Sequence, residues 1–145
     1  MFSHNRNPRR WLGRASQGRF AVATILAAPW VVRRLREEGL ESTLDHISKL
    51  DPWRAGMLGL IAGSLEPERA RVAVSWAFRV APHLEGDCLE QALTQYVLQK
   101  GEQVRFVVGV KRDPANQFGA HAWVEHATPP PEATEFAPIL VRAEP

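Results

Sequence analysis

A single cysteine, Cys88, occurs in the 145 residues, so no intramolecular disulfide can form. That excludes a disulfide-stapled scaffold and suits a reducing cytosol. Long apolar runs are also missing. The longest, Phe20 to Val32, is shorter than the ~20 residues a membrane helix needs, and Pro29 and Arg33-Arg34 interrupt it. It follows a basic stretch, as a signal peptide would, but reads as a buried or interfacial helix. No glycine-rich loop is present to cradle phosphates, so intrinsic ATP binding finds no support. His4, His46, His83 and His126 have no metal-ligand spacing with one another or with Cys88. No metal and no cofactor are therefore expected. Basic and aromatic residues do not interleave as in nucleic-acid modules, so no nucleic-acid partner is expected.

Acidic residues are scarce at the start. Arg6, Arg9, Arg10, Arg14, Arg19, Arg33, Arg34 and Arg36 face only Glu37 and Glu38, although the net charge of the whole chain is just +2. Such a segment can touch an acidic protein or an anionic membrane, or can serve as a solubilising tail. What is present is ordinary for a globular domain: 45% hydrophobic and 23% charged residues. A chain of this size buries roughly 68–70% of its unfolded surface, enough for a core.

The pattern predicts a loose basic arm over residues 1–14, a helical region over 15–66 and a core over 67–145, the last two forming one compact domain. Helices are expected from Ser16 to Glu38, stopping at Gly39, and from Ser42 to Lys49, capped by Ser42. Another starts at Asp51-Pro52 and ends near Ala62. Glu66 to Ala81 carries Val72, Trp76, Ala77 and Val80 near one face and is expected to be largely buried. Asp87 to Lys100 is a further helix, ending at Gly101. Strands are expected at Val104–Val110, Ala120–Glu125 and Phe136–Val141, after an extended turn at Thr128–Pro131. In the second strand His121, Trp123 and Glu125 share one face, and Ala122 and Val124 the other. The fold class is α+β, with helices first and then one helix with an antiparallel sheet.

Cys88 sits at the start of a helix. Unpaired N–H groups and the dipole there favour a thiolate, the nucleophilic form. The Cys88 N–H is also placed to stabilise an oxyanion. His121, among Gly119, Ala120 and Ala122, is a candidate base that a substrate backbone could approach. A third group usually orients such an imidazole. Candidates are Asp113, Glu125, Glu132 and Glu135. Glu125 lies roughly 13 Å along the same strand by strand rise, too far to serve. Trp123 and Phe106 are candidate groove residues or core residues. Trp11, Trp30, Trp53 and Trp76 are expected to be core or partner-facing.

Asp87-Cys88-Leu89-Glu90-Gln91-Ala92-Leu93, then Gly101, Val107-Val108-Gly109-Val110-Lys111-Arg112 and Ala120-His121-Ala122-Trp123-Val124-Glu125 resemble the transglutaminase-like leader peptidases of lasso-peptide biosynthesis. The resemblance spans about residues 68 to 140. It implies a papain/transglutaminase-like core with the Cys-bearing helix packed on the sheet. It also implies a Cys88–His121–acid triad. Glu132 stands by spacing where the family usually has an aspartate, with Glu135 the second choice. The implied activity is hydrolysis of one peptide bond, freeing a leader from a ribosomal precursor. The implied partners are that precursor, a separate leader-binding protein and a lasso cyclase. Two other functions fit the same residues: acyl transfer to an amine, and non-catalytic peptide binding.

Overall fold

The structure, a computed structural model, describes residues 8–115 and 117–143; the side chains of residues 8–13, 52, 53 and 55 are not described. Residues 1–7 of the expected loose basic arm lie outside the described residues, whereas 8–14 are not a loose arm but the start of helix α1; the side chains of Trp11 and Trp53, expected to be core or partner-facing, also lie outside what is described. Five helices precede the sheet: α1 Pro8–Glu38, α2 Leu40–Ser48, α3 Pro52–Ala62, α4 Pro67–Val80 and α5 Cys88–Leu98. Three strands follow: β1 Arg105–Arg112, β2 Phe118–Glu125 and β3 Ala137–Ala143. A 3-10 turn, Pro131–Ala133, lies between β2 and β3. The architecture is α+β.

Local chemistry explains most boundaries. Helix α1 begins at Pro8 rather than Ser16, because a proline at the first turn loses no helical hydrogen bond. It runs on through Pro29, whose side chain is exposed. Gly39 is the junction to α2, with φ 83 and ψ 176, a conformation only glycine adopts readily. Ser42 does not cap α2; its hydroxyl donates to Glu38 Oε2 at 2.9 Å. Helix α5 starts on a capping box: the Asp87 carboxylate accepts from the Leu89 N–H at 3.0 Å, and Glu90 Oε2 accepts from the Asp87 N–H at 3.0 Å. Among the described residues no helix is long and apolar enough to cross a membrane.

The sheet is antiparallel, in the order β2-β1-β3, so the strand carrying His121 is at an edge. Its two faces differ. Phe106, Ala122 and Val124 pack with Ala92, Leu93, Tyr96 and Val97 of α5, and with Val31, Leu44 and Ile47 beneath. On the opposite face Val107 and Trp123 pack with Ala133 and Phe136. Alternation along β2 therefore falls as the sequence predicts, and the Cys-bearing helix lies on the small sheet. A second core joins α1, α3 and α4 through Phe20, Ala23, Ala62, Ala70, Val74 and Phe78.

One expectation about α4 is overturned. Val72, Trp76 and Val80 are 46%, 54% and 47% exposed, whereas Ala70, Ala73, Val74, Ala77 and Phe78 are buried. Apolar residues cover more than half of this helix's circumference, so periodicity alone did not select which side faces inward. The small alanines allow α1 and α5 to approach closely, and the large residues were left outside.

Helix α5 is buried from Ala92 to Gln99. Its two glutamines are satisfied internally. Gln95 Nε2 donates to Gln99 Oε1 at 2.9 Å and to the Pro67 carbonyl at 2.8 Å; Gln99 Nε2 donates to the Leu65 carbonyl at 2.8 Å. Replacing Gln99 with leucine leaves the Leu65 carbonyl and a Gln95 amide proton unpaired. We expect a loss of about 1–3 kcal/mol, read by urea denaturation, because buried polar groups are costly without partners.

Candidate active site

Cys88 is the first residue of α5 and is half-buried. Its position on the helix follows from the capping box, which orders the chain through Asp87 and leaves Cys88 at the first helical turn. Hydrogen bonding between the two box carboxyls divides their behaviour. It is the main reason Asp87 is held below its usual range, while burial first, and then the same contact, pushes Glu90 up. Among the described residues the Cys88 N–H meets no acceptor, as expected of an unpaired first-turn amide. Gly86 just before it has no room for a side chain: a Cβ would lie 2.8 Å from Glu90 Cβ and 2.9 Å from Phe78 Cε1.

His121 leaves β2 on the face opposite α5. Its ring stacks on Trp123 with centroids 5.8 Å apart and is tilted against Phe136 at 5.3 Å. Nε2 is buried and has no hydrogen-bond partner. Burial is the first cause that moves the His121 pKa below its usual value; nearby Glu132 opposes this, and Arg71 and Lys111 add to it. A neutral imidazole with a free ring nitrogen is what a general base requires. A buried nitrogen left unpaired also needs explanation, and awaiting a proton donor is one.

Glu132 lies in the 3-10 turn after the three prolines. Its Oε1 pairs with Arg71 Nε of α4 at 3.0 Å, and Arg71 also grips Glu68. Glu132 acts on His121 electrostatically but makes no hydrogen bond to it. Glu135 is highly exposed and pairs with Lys111 at 3.3 Å. Asp113 accepts from the Gln117 N–H at 2.9 Å, closing the β1–β2 loop. Glu125 is occupied elsewhere. It accepts from the Trp123 indole N–H at 2.6 Å and pairs with Arg105, whose Nη2 is also 2.6 Å away.

The structure thus gathers His121, Glu132 and Arg71 into one region. Cys88 makes no hydrogen bond to His121 among the described residues. Cys88, Ala92 and Tyr96 fall at helical spacing on one side of α5, and Ala92 and Tyr96 pack on the Ala122–Val124 face. The two aromatic groove candidates are both core residues here. Phe106 is fully buried against Tyr96, with ring centroids 5.8 Å apart, and Trp123 lies buried between Glu125 and His121.

Three contributors escaped sequence reasoning. Arg71 is one of several arginines on α4 and carries no local signal. Phe136 reaches the imidazole from beyond the proline turn. Gly109 had a signal, being a glycine inside a β-branched strand. A Cβ there would sit 2.7 Å from Trp123 Cη2 and 2.9 Å from Phe136 Cβ, so its absence lets both rings lie over the sheet beside His121.

A family model described as the transglutaminase-like superfamily matches residues 60–141, more than half of the chain. The chain belongs to the transglutaminase-like superfamily. The matched region runs from the end of α3 into β3 and includes Arg71, Cys88, His121 and Glu132. No curated protein and no solved structure matches the chain. Transglutaminase-like domains are typically cysteine-dependent enzymes of protease-like or acyl-transferase-like function, and Cys88 is the only cysteine here.

Two outcomes follow for this transglutaminase-like site. Replacing Gly109 with alanine should cost about 1–3 kcal/mol by overpacking and should shift the His121 ring resonances in NMR spectra. The pH dependence has a definite sign. The folded pKa of His121 lies below its unfolded value near 6.5, so the unfolded chain takes up the proton first. Stability is therefore full above about pH 6.5 and falls as pH drops through the folded value. His121→Gln should flatten that slope in a urea-midpoint series across pH 5 to 7; an unchanged slope would contradict a buried, depressed imidazole.

Proposed function

We propose that this chain is a cysteine endopeptidase that removes the leader from a ribosomal lasso-peptide precursor, working with a leader-binding protein and a cyclase. The observation that carries the proposal is Cys88 at the head of α5, with a free N–H, in a transglutaminase-like chain whose His-Ala-Trp-Val-Glu strand holds a neutral imidazole. The Cys-Leu helix start, the Val-Gly-Val strand and this His strand occur in the order of the leader peptidases that the sequence resembles.

In the proposed mechanism His121 takes the Cys88 thiol proton, becoming imidazolium, and the thiolate attacks the carbonyl carbon at the leader–core junction. The oxyanion forms near the Cys88 N–H. His121 protonates the leaving amine as the C–N bond breaks, giving a thioester. It then takes a proton from water, which attacks the thioester carbonyl and returns the proton to the sulfur. Glu132, steered by Arg71, supports the imidazolium formed between these steps. Glu135 is the second choice for that role, and its exposure argues against it.

Cys88→Ala should reduce precursor cleavage to background, by roughly a thousandfold or more, without changing the fold. Cleavage retained by the purified variant, followed by mass spectrometry, would sink the proposal. Glu132→Gln should slow cleavage by roughly a hundredfold or more, while Glu135→Gln stays near the parent rate. Product mass separates hydrolysis from acyl transfer: a cleaved peptide bond adds water, whereas amidation of a side-chain carboxamide loses ammonia.

A further inference from the structure

The helical end of the molecule carries an apolar surface that the proposed chemistry does not use. Among the described residues, seven of the ten large hydrophobic side chains that stand exposed lie on α1, α3 and α4, among them Val22, Leu60, Val72, Trp76 and Val80. Exposed apolar groups gathered in this way mark interaction sites more often than chance surface. Val72 and Trp76 border a groove between α1 and α4. Its floor is built of small residues, Gly18, Ala21 and Ala73, and its walls of Val72 and Trp76. A Cβ built on Gly18 meets nothing within 4 Å, so the floor is open space. Arg14 lines the same groove, and Arg69 and Arg79 fall on the Val72–Trp76 side of α4 by helical spacing. Helix α1 has no acidic residue before Glu37, and α3 has none; the one acid of α4, Glu68, lies on the Val72–Trp76 side and is paired with Arg71 at 2.6 Å, which leaves Arg14, Arg69 and Arg79 in excess there.

We infer that the α1–α4 groove is a docking site for an acidic amphipathic helix of a partner protein, whose apolar side chains enter between Gly18 and Trp76 while its carboxylates meet the surrounding arginines. A concave slot with a small-residue floor suits an inserted helix, whereas a lipid surface would favour a convex apolar face. The one-sided charge gives the partner its sign. This inference rests on the two-component reading above, in which a separate protein brings the precursor. It extends that reading by assigning the place and the chemistry of contact.

The test uses the full chain and three probes: a fluorescein-labelled amphipathic peptide of Leu, Ala and Glu; the same peptide with Lys for Glu; and phosphatidylglycerol vesicles. Fluorescence anisotropy should show saturable binding of the Glu peptide and at least tenfold weaker binding of the Lys peptide. Trp76→Glu should weaken the Glu peptide at least tenfold, and Gly18→Leu, which fills the floor, should do the same. Both substitutions lie at open positions, and circular dichroism should show an unchanged fold. Cys88→Ala should bind as the parent does, so loss of cleavage and loss of docking are separable. Equal binding of both peptides, no binding of the Glu peptide, or binding to vesicles alone would each overturn the inference.

Discussion

Helix α5 has to be buried along almost its whole length while its first residue stays at the surface, and the rest of the molecule is arranged around that requirement. From Ala92 to Gln99 every residue is enclosed by α1, α4 and the sheet. Two of those residues are glutamines, which could not be left there unpaired. Their amides bond to each other and to the carbonyls of Leu65 and Pro67, the chain that leads into α4. The clamp sets the start of α4 relative to α5. It therefore also sets the region of Arg71, one turn further on, relative to the strand that α5 carries. A polar contact in the interior thus positions a charged group at the edge of the site.

The imidazole is governed by competing forces. Burial beside Trp123 and Phe136 disfavours its charged form, and two cations, Arg71 and Lys111, push the same way. Only Glu132 opposes them, and part of its charge is offset by Arg71 at 3.0 Å. Burial is the largest of these effects, so the neutral ring prevails. A base that must accept a proton and later give it up is served by such a balance: the proton is not held before the reaction, yet the imidazolium has a carboxylate nearby once it forms.

The helix start at Asp87-Cys88, the alternation in β2 and the strand around Gly109 are local, and the sequence showed them clearly. Each depends on residues within a few positions of one another. What it did not show is the inward side of α4, because alanines and larger apolar residues surround that helix almost equally. The start of α1 was placed late for a related reason: a polar, arginine-rich turn resembles an arm, although arginine forms helices well. Within the site, Cys88 and His121 stood out through their neighbours in the chain. Arg71 and Phe136 did not, since each reaches the imidazole from a different element and only the tertiary fold brings them there. The resemblance to leader peptidases pointed to Glu132, and the structure places that carboxylate within electrostatic reach of His121 without hydrogen-bonding the two.

The identity of that acid has a structural consequence. Where the resembled peptidases carry an aspartate, this chain has a glutamate, with one more bond about which the carboxylate can swing. Holding the longer side chain in one place costs more rotamer entropy. Two features reduce its freedom. The three prolines from Pro129 to Pro131 stiffen the backbone before it, Pro130 being extended with φ −64 and ψ 157. Arg71, itself anchored to Glu68 through two hydrogen bonds of 2.6 and 3.1 Å, then holds the carboxylate from the other side. The arginine, the prolines and the longer acid form a consistent set, in which Glu132 is steered by α4. The steering comes from α4, whose start is fixed by the glutamines of α5. The helix that presents Cys88 therefore also sets the position of Glu132 beside His121.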